Sequence, residues 1–327
     1  MTPRAPELLH SGIVWDNHGC LPLRADDRYL PQLERYRAAG VNVVSLNIGF
    51  ADMSWDEHVR VVEFMRQWID AHHGAYRLIR RVEDIVGCKK DGKLGIVFDV
   101  EGMGPVQDDP GRVRTLYDLG VRWMLIAYNR NNRAGGGCMD TDTGLTALGR
   151  AIIDQMESVG MVLCLSHAGT RTVRDALEYS KNPTIFSHSN PHGDTPHARN
   201  VSNELMRACA DKGGVIGLSG IGPFLGGNSD VVSHLLRQLR YVIDQVGPGH
   251  VGLGLDYVFD TTELDEYVQN NPSLFPPGVE GSGKMGMVGP EAMTDIAEGL
   301  ARDNLTDSQI RGILGENWLR IATRVWR

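Results

Sequence analysis

The sequence is short of several things at once, and each shortage removes a class of protein. No stretch approaches the roughly 20 apolar residues of a membrane-spanning helix, and residues 1–10 lack the apolar run of a secretory leader. A cytoplasmic protein with no membrane partner is expected. Cysteine is sparse: Cys20, Cys88, Cys138, Cys164 and Cys209 are odd in number and scattered. They form neither a disulfide framework nor a CxxC zinc knuckle and read as reduced thiols, with Cys20 a special case. Basic charge is also lacking. With 33 Lys and Arg against 41 Asp and Glu the formal net charge is −8, so nucleic acid is excluded as the main partner. Finally, no GxGxxG follows the first apolar run, which argues against a dinucleotide-binding fold.

What is present is a long chain of ordinary globular composition. The 327 residues are 42% hydrophobic and 23% charged, enough for one large core. Apolar runs rich in Val, Ile and Leu occupy residues 12–15, 41–48, 94–100, 121–127, 161–165, 183–186, 214–219 and 251–255. Their apolarity is continuous rather than alternating, the mark of strands buried on both faces. Helical spacing fills the gaps: residues 58–86, 116–119, 148–159 and 173–180, the last with Thr170 as its cap. Eightfold strand–helix alternation predicts an α/β fold of the (β/α)₈ TIM-barrel type, a single domain over residues 1–327. Two regions break the rhythm. Residues 131–143, rich in Gly and Asn, read as a loop after the fourth strand. Residues 260–290, with Pro272, Pro276, Pro277, Gly278, Gly281, Gly283 and Gly286, read as a long irregular insertion, expected to be a lid.

In such a barrel the C-terminal strand ends converge on one mouth. Asp16-Asn17-His18-Gly19-Cys20 follows the first run, Asp99-Val100-Glu101 ends the third, and Tyr128-Asn129 follows the fourth. Ser166-His167 follows the fifth, Ser187-His188-Ser189 the sixth, and the eighth ends in Asp256. A lone histidine at a strand end is commonly just a satisfied polar residue. Three with a carboxylate between them point to a metal, since neutral imidazole and carboxylate are the usual zinc ligands of hydrolytic sites. His72 and His73 read as solvent-facing, and His192 and His197 as loop residues near the pocket. Asp99 is left unassigned.

Gly160-Met161-Val162-Leu163-Cys164-Leu165-Ser166-His167, followed by Pro183-Thr184-Ile185-Phe186-Ser187-His188-Ser189, resembles the membrane dipeptidase (renal dipeptidase) family of zinc metallopeptidases, a branch of the amidohydrolase superfamily. The family pattern is similar to G-M-x-x-D-L-S-H and P-x-I-x-S-H-S. Arg199-Asn200-Val201, Val251-Gly252-Leu253-Gly254-Leu255-Asp256 and Gly315-Glu316-Asn317-Trp318 extend the resemblance from about residue 11 to 323. It implies two Zn²⁺ ions per chain, with His18 on the first, Glu101 bridging, and His167 and His188 on the second. It implies Asp256 as general acid/base and Arg199 as the holder of a substrate carboxylate. The implied reaction is hydrolysis of a dipeptide or similar small amide by a zinc-activated bridging water.

Three positions depart from the pattern. The family's first motif resembles H-x-D, whereas here it is His18-Gly19-Cys20. Cys20 is either a thiolate ligand or a small buried residue beside a depleted metal site. Where the family has T-H-N, this chain has Ala127-Tyr128-Asn129. Tyr128 is either a hydrogen-bond donor to the substrate carbonyl or part of the pocket wall, and Asn129 is expected to contact substrate. Cys164 replaces the Asp of D-L-S-H, which removes a contact behind the histidines. These changes keep open a different small amide, a lactone or an ester as substrate. The expected partner is a small molecule or dipeptide, and a homodimer is compatible with the sequence.

Overall fold

The computed structural model describes residues 4–50, 53–276, 279 and 285–327. Seven of the eight apolar runs supply all or most of a strand, and the first, residues 12–15, leads into one, contributing only Trp15. In chain order the strands are β1 (Trp15–Cys20), β2 (Val43–Phe50), β3 (Tyr76–Leu78), β4 (Leu94–Glu101), β5 (Val121–Leu125), β6 (Val162–Cys164), β7 (Ile185–Phe186), β8 (Val215–Leu218), β9 (Val251–Leu253) and β10 (Tyr257–Val258). The ring runs β1-β2-β4-β5-β6-β7-β8-β9, every pairing is parallel, and Asp16 opposite Leu253 closes β9 onto β1. This is a (β/α)₈ barrel of one domain. Two short strands were not expected. β3 pairs with the start of β4 at Leu94–Ile96, where β5 has not yet begun, and β10 pairs with the end of β1.

The strands alternate between two cores, as a period of two requires. Val44, Leu46, Ile96, Phe98 and Val100 pack with the surrounding helices. Val43, Val97, Trp123, Val162, Ile185 and Val215 form a second cluster with Trp15 and with Trp318, Ile321 and Val325 of the C-terminal helix. Trp318 imposes a glycine on β9. Its Nε1 donates to Leu253 O at 3.1 Å, and a Cβ at Gly252 would lie 2.6 Å from its ring.

Four local expectations are corrected. The polar residues after the first run lie inside β1 rather than beyond it, because inward-facing positions near a barrel mouth tolerate polar side chains. Residues 58–86 are not one helical stretch. Helix Trp55–Ala71, opened by a capping box between Ser54 and Glu57, ends before β3, and helix Val82–Asp91 follows. Thr170 is the first residue of helix Thr170–Tyr179 and not its cap, which is Gly169. The 260–290 insertion is partly regular. Asp260 accepts from the backbone of Thr262 and Glu263 and so opens helix Thr261–Asn270. Pro277, Gly278, Gly281 and Gly283 of that segment lie outside the described residues. Among the described residues no helix is long and apolar enough to cross a membrane.

Candidate functional site

The strand ends bring His18, Cys20, Glu101, His167, His188 and Asp256 together. Two of them, His167 (φ 64°) and Asp256 (φ 61°), and the neighbouring Asn129 (φ 55°) adopt left-handed backbone, which costs a non-glycine residue free energy. In each case the chain turns sharply just past a strand, which keeps the side chain over the barrel mouth. Asp256 is held in that turn by its own N–H, which donates to His18 O at 2.9 Å.

At the centre stands Glu101. Its Oε1 lies 3.1 Å from His188 Nε2, 3.3 Å from His167 Nε2 and 3.5 Å from His18 Nε2. The Nε2 atoms of His167 and His188 are themselves 2.9 Å apart. The proton of His167 can be placed by following hydrogen bonds away from the site. Asn129 Nδ2 donates to Leu274 O at 2.8 Å, so Asn129 Oδ1 faces His167 Nδ1 at 2.7 Å and must accept from it. His167 Nε2 is therefore a bare lone pair aimed at Glu101 and His188. His18 is oriented from behind by Asp99 Oδ2, 3.3 Å from its Nδ1, and His188 by Ser187 Oγ, 2.7 Å from its Nδ1. The rings of His18 and His188 stack at 4.0 Å.

The charge balance agrees with the geometry. Burial lowers the pKa of His167 and His188 well below the ordinary value, helped by the charges of Arg199 and His18, so both imidazoles are neutral. Burial also disfavours a charged His18, but Cys20, Asp99 and Glu101 outweigh it and hold its pKa well above the ordinary value. Burial, reinforced by Asp256 and Asp99, pushes Glu101 up to about 8 despite the opposing charge of His18. Its Oε1 has no hydrogen-bond partner among the described residues.

Three imidazole Nε2 atoms converging on one buried, unsatisfied carboxylate oxygen fit a divalent cation, which would replace the protons that His18 and Glu101 otherwise hold. Among the described residues two donor sets meet the spacing: His18 with Glu101 and His188, and His18 with Cys20 and Asp256. The donor atoms of each lie within 4.8 Å of one another. Cys20 Sγ is 3.5 Å from His18 Nε2 and 3.3 Å from Asp256 Oδ1. Asp256 Oδ2 accepts from Ser219 Oγ at 3.2 Å.

The cluster floors a cavity of about 510 Å³, which Cys20, Glu101, Tyr128, Asn129, His167, Arg199 and Asp256 all line. Arg199 is buried. Its two terminal nitrogens donate to Ser189 Oγ at 3.1 Å and His188 O at 2.9 Å, while its Nε has no acceptor among the described residues. The Tyr128 ring stacks on His167 at 4.3 Å. Burial, with the charges of Glu101 and Asp256, raises its pKa well above that of a free phenol, so it remains a donor. Asn129, expected to meet substrate, has both ends of its amide engaged by the protein, although it lines the cavity. His72 and His73 are exposed, and His192 and His197 do not line the cavity.

Several contributors escaped the sequence reading. The parity of Asp99 and Glu101 on one strand was the available signal for Asp99. Ser187 and Ser219 carried none. Phe50, Tyr267 and Phe275, which line the same cavity, look in sequence like ordinary core or loop residues.

Comparison with known proteins agrees with this architecture. An amidohydrolase from Pseudomonas aeruginosa has a crystal structure that superposes with a TM-score of 0.89 at 26% identity, over 98% of this chain and 99% of that one. An uncharacterized dipeptidase of Schizosaccharomyces pombe is 29% identical over 269 residues, 80% of this chain and 60% of the yeast protein. The dipeptidase verJ of Clonostachys rogersoniana is 27% identical over 81% of this chain and 64% of its own length. This chain thus spans roughly three-fifths of each of those two relatives. The profile of the membrane dipeptidase family, peptidase family M19, matches residues 54–275, about two-thirds of the sequence. With its barrel and its mouth cluster in place, the chain belongs to the membrane dipeptidase family.

Proposed function

We propose that the protein is a zinc-dependent dipeptidase, cleaving a dipeptide or similarly small amide. The observation that carries this reading is the approach of three imidazole Nε2 atoms to one carboxylate oxygen, Glu101 Oε1, at the floor of a cavity that also holds Arg199. His18 and Cys20 would hold one zinc, His167 and His188 a second, and Glu101 would bridge them. Zinc bound there would supply Lewis acidity, lowering the pKa of water and polarising the scissile carbonyl.

The chain's own groups supply the rest. Asp256 takes the proton of the attacking water and returns it to the leaving nitrogen. The hydrogen bond from Ser219 holds one of its oxygens while the other faces the metal donors. Arg199 holds the free carboxylate, for which its planar fork suits both oxygens. Tyr128, kept protonated, donates to the carbonyl oxygen as negative charge develops there. We also read residues 260–290 as the cover of the site. Leu264, Tyr267, Phe275, Pro276, Val279 and Met285 line the cavity from this segment, and Leu274 O is tied to Asn129. Five unpaired thiols are in keeping with a cytoplasmic location.

The test is a library of dipeptides with L,L and L,D members offered to zinc-reconstituted protein. Hydrolysis of a subset, abolished in Asp256→Asn, is expected. Failure to cleave any member with two zinc ions bound would remove the dipeptidase reading.

A further inference from the structure

Phe50, Tyr128, Tyr267 and Phe275 form a circuit of rings along one side of the cavity. Phe50 meets Tyr128 at 5.1 Å and Tyr267 at 5.0 Å, Tyr267 meets Phe275 at 5.9 Å, and Phe275 meets Tyr128 at 6.4 Å. All four contacts are edge-on, with interplanar angles of 67–85°. Each ring is only half-buried, so part of its surface faces the cavity, where Met53 and Leu264 extend the apolar lining. Partly exposed aromatic surface gathered along a cavity marks a binding surface.

The barrel order fixes where this wall stands. In the eight-membered ring β2 and β7 are four places apart, hence on opposite sides. Phe50 ends β2, while Arg199 is tied to His188 and Ser189 just past β7. The metal-type donors lie between. A substrate with its carboxylate on Arg199 and its amide over Glu101 therefore extends its amino-terminal residue toward the rings.

Acidic neighbours do not turn the wall into a cage for a cation. Glu57 accepts from Ser54 in the capping box, and Glu263 is paired with Arg24 at 2.6 Å. The wall is left to apolar contact.

We infer that the wall of Phe50, Tyr128, Tyr267 and Phe275 is the pocket for the side chain on the amino side of the scissile bond, and that it selects a large apolar or aromatic residue there. This rests on the dipeptidase reading, chiefly on Arg199 as the carboxylate holder. The residue on the carboxyl side, close to Arg199, gains nothing from these rings.

The experiment measures binding apart from turnover. Zinc-loaded Asp256→Asn protein is titrated by calorimetry with Phe-Ala, Ala-Phe and Ala-Ala, each as L,L and L,D forms. Phe-Ala is expected to bind at least about tenfold more tightly than Ala-Phe or Ala-Ala, the scale of burying one aromatic side chain. Adding Phe50→Ala or Phe275→Ala is expected to bring the ratio of Phe-Ala to Ala-Ala affinity close to one. Equal affinity for the three dipeptides, or a preference for Ala-Phe, overturns the inference. That result comes from the Asp256→Asn protein without a substituted ring, so it stands even if a ring variant fails to fold. Hydrolysis by the unsubstituted protein is scored separately. A preference for Phe-Ala in binding with no cleavage would keep the rings as a side-chain pocket but remove the dipeptidase reading and with it the pocket's place beside a scissile bond, whereas cleavage with flat binding would overturn the pocket alone.

Discussion

Asn129 Oδ1 accepts the proton of His167 Nδ1 at 2.7 Å, and this one bond decides that His167 presents a lone pair to the centre of the barrel mouth. Asn129 is itself oriented by the backbone of the insertion, through its donation to Leu274 O. A loop carbonyl thus sets the tautomer of a candidate metal ligand two hydrogen bonds away from it.

Replacing Asn129 by leucine breaks that line of hydrogen bonds. Loss of a partner behind a metal-binding histidine typically weakens metal affinity about 10- to 100-fold. Zinc titration with a competing chelator should show a drop of that size in Asn129→Leu at the site His167 would hold, and a smaller drop in Asn129→Asp, which keeps an acceptor. Unchanged affinity in both variants would show that the bond is incidental.

Glu101 gives a prediction about pH as well as metal. Its carboxyl is pushed up to about 8 from an ordinary 4.5. In zinc-free protein the folded state therefore holds a proton that the unfolded chain releases. That contribution is fully present below about pH 4.5 and is lost as the pH climbs to about 8. His167 and His188, with depressed values, contribute in the opposite sense, so the comparison must be made against a variant that keeps them. Between pH 5 and 8 the Tm of the zinc-free protein should fall more steeply with pH than that of zinc-free Glu101→Gln. Parallel curves would exclude the protonated carboxyl. With zinc present, Glu101→Gln should bind less metal and lose most of its activity, because the bridging charge offsets repulsion between two cations.

Cys20 stands where the family has a carboxylate. If its sulfur binds metal, Cys20→Ser should lower zinc occupancy and Cys20→Asp should restore it, since the two donor types differ by only about 0.1–0.3 Å in bond length. If it merely packs, serine should be silent and aspartate should destabilise the barrel by adding a buried charge. Zinc content and Tm of the two variants, side by side, separate the cases. Two stoichiometric zinc ions in Cys20→Ser at submicromolar free metal would end the ligand role.

Arg199→Lys keeps a positive charge but loses the fork. KM for a free-acid dipeptide should rise far more than KM for the corresponding amide. An equal rise for acid and amide would show that Arg199 does not read a carboxylate.

Much of the barrel was legible because a strand buried on both faces must be apolar throughout, and eight such runs stand out. β3 and β10 were not, because segments of three and two residues carry no periodicity. β1 was foreshortened because Asp16, His18 and Cys20 interrupt its apolar run, yet backbone pairing is indifferent to side-chain polarity. Helix Thr261–Asn270 was hidden by the prolines and glycines that follow it. At the site, His18, Glu101, His167, His188 and Asp256 could be picked out because each ends or follows an apolar run, which is a property of sequence position. Asn129's link to Leu274 and the ring circuit of Phe50 with Tyr267 join residues more than 140 and 210 positions apart. Only the closed barrel brings those together.

Arg199 is fastened to the carbonyl of His188 and the hydroxyl of Ser189. An arginine bolted to the same turn as the histidine cannot swing out to follow a longer ligand. Any carboxylate it grips sits at one set separation from the imidazoles, as between the jaws of a calliper. With a carboxylate held by Arg199, such a site would measure its substrate: the first amide bond from that carboxylate would fall over Glu101, whereas a tripeptide gripped at the same point would carry its second amide past the donors into the ring wall. Restriction to two residues would then follow from a fixed anchor at one end of the cavity and the ring wall at the other.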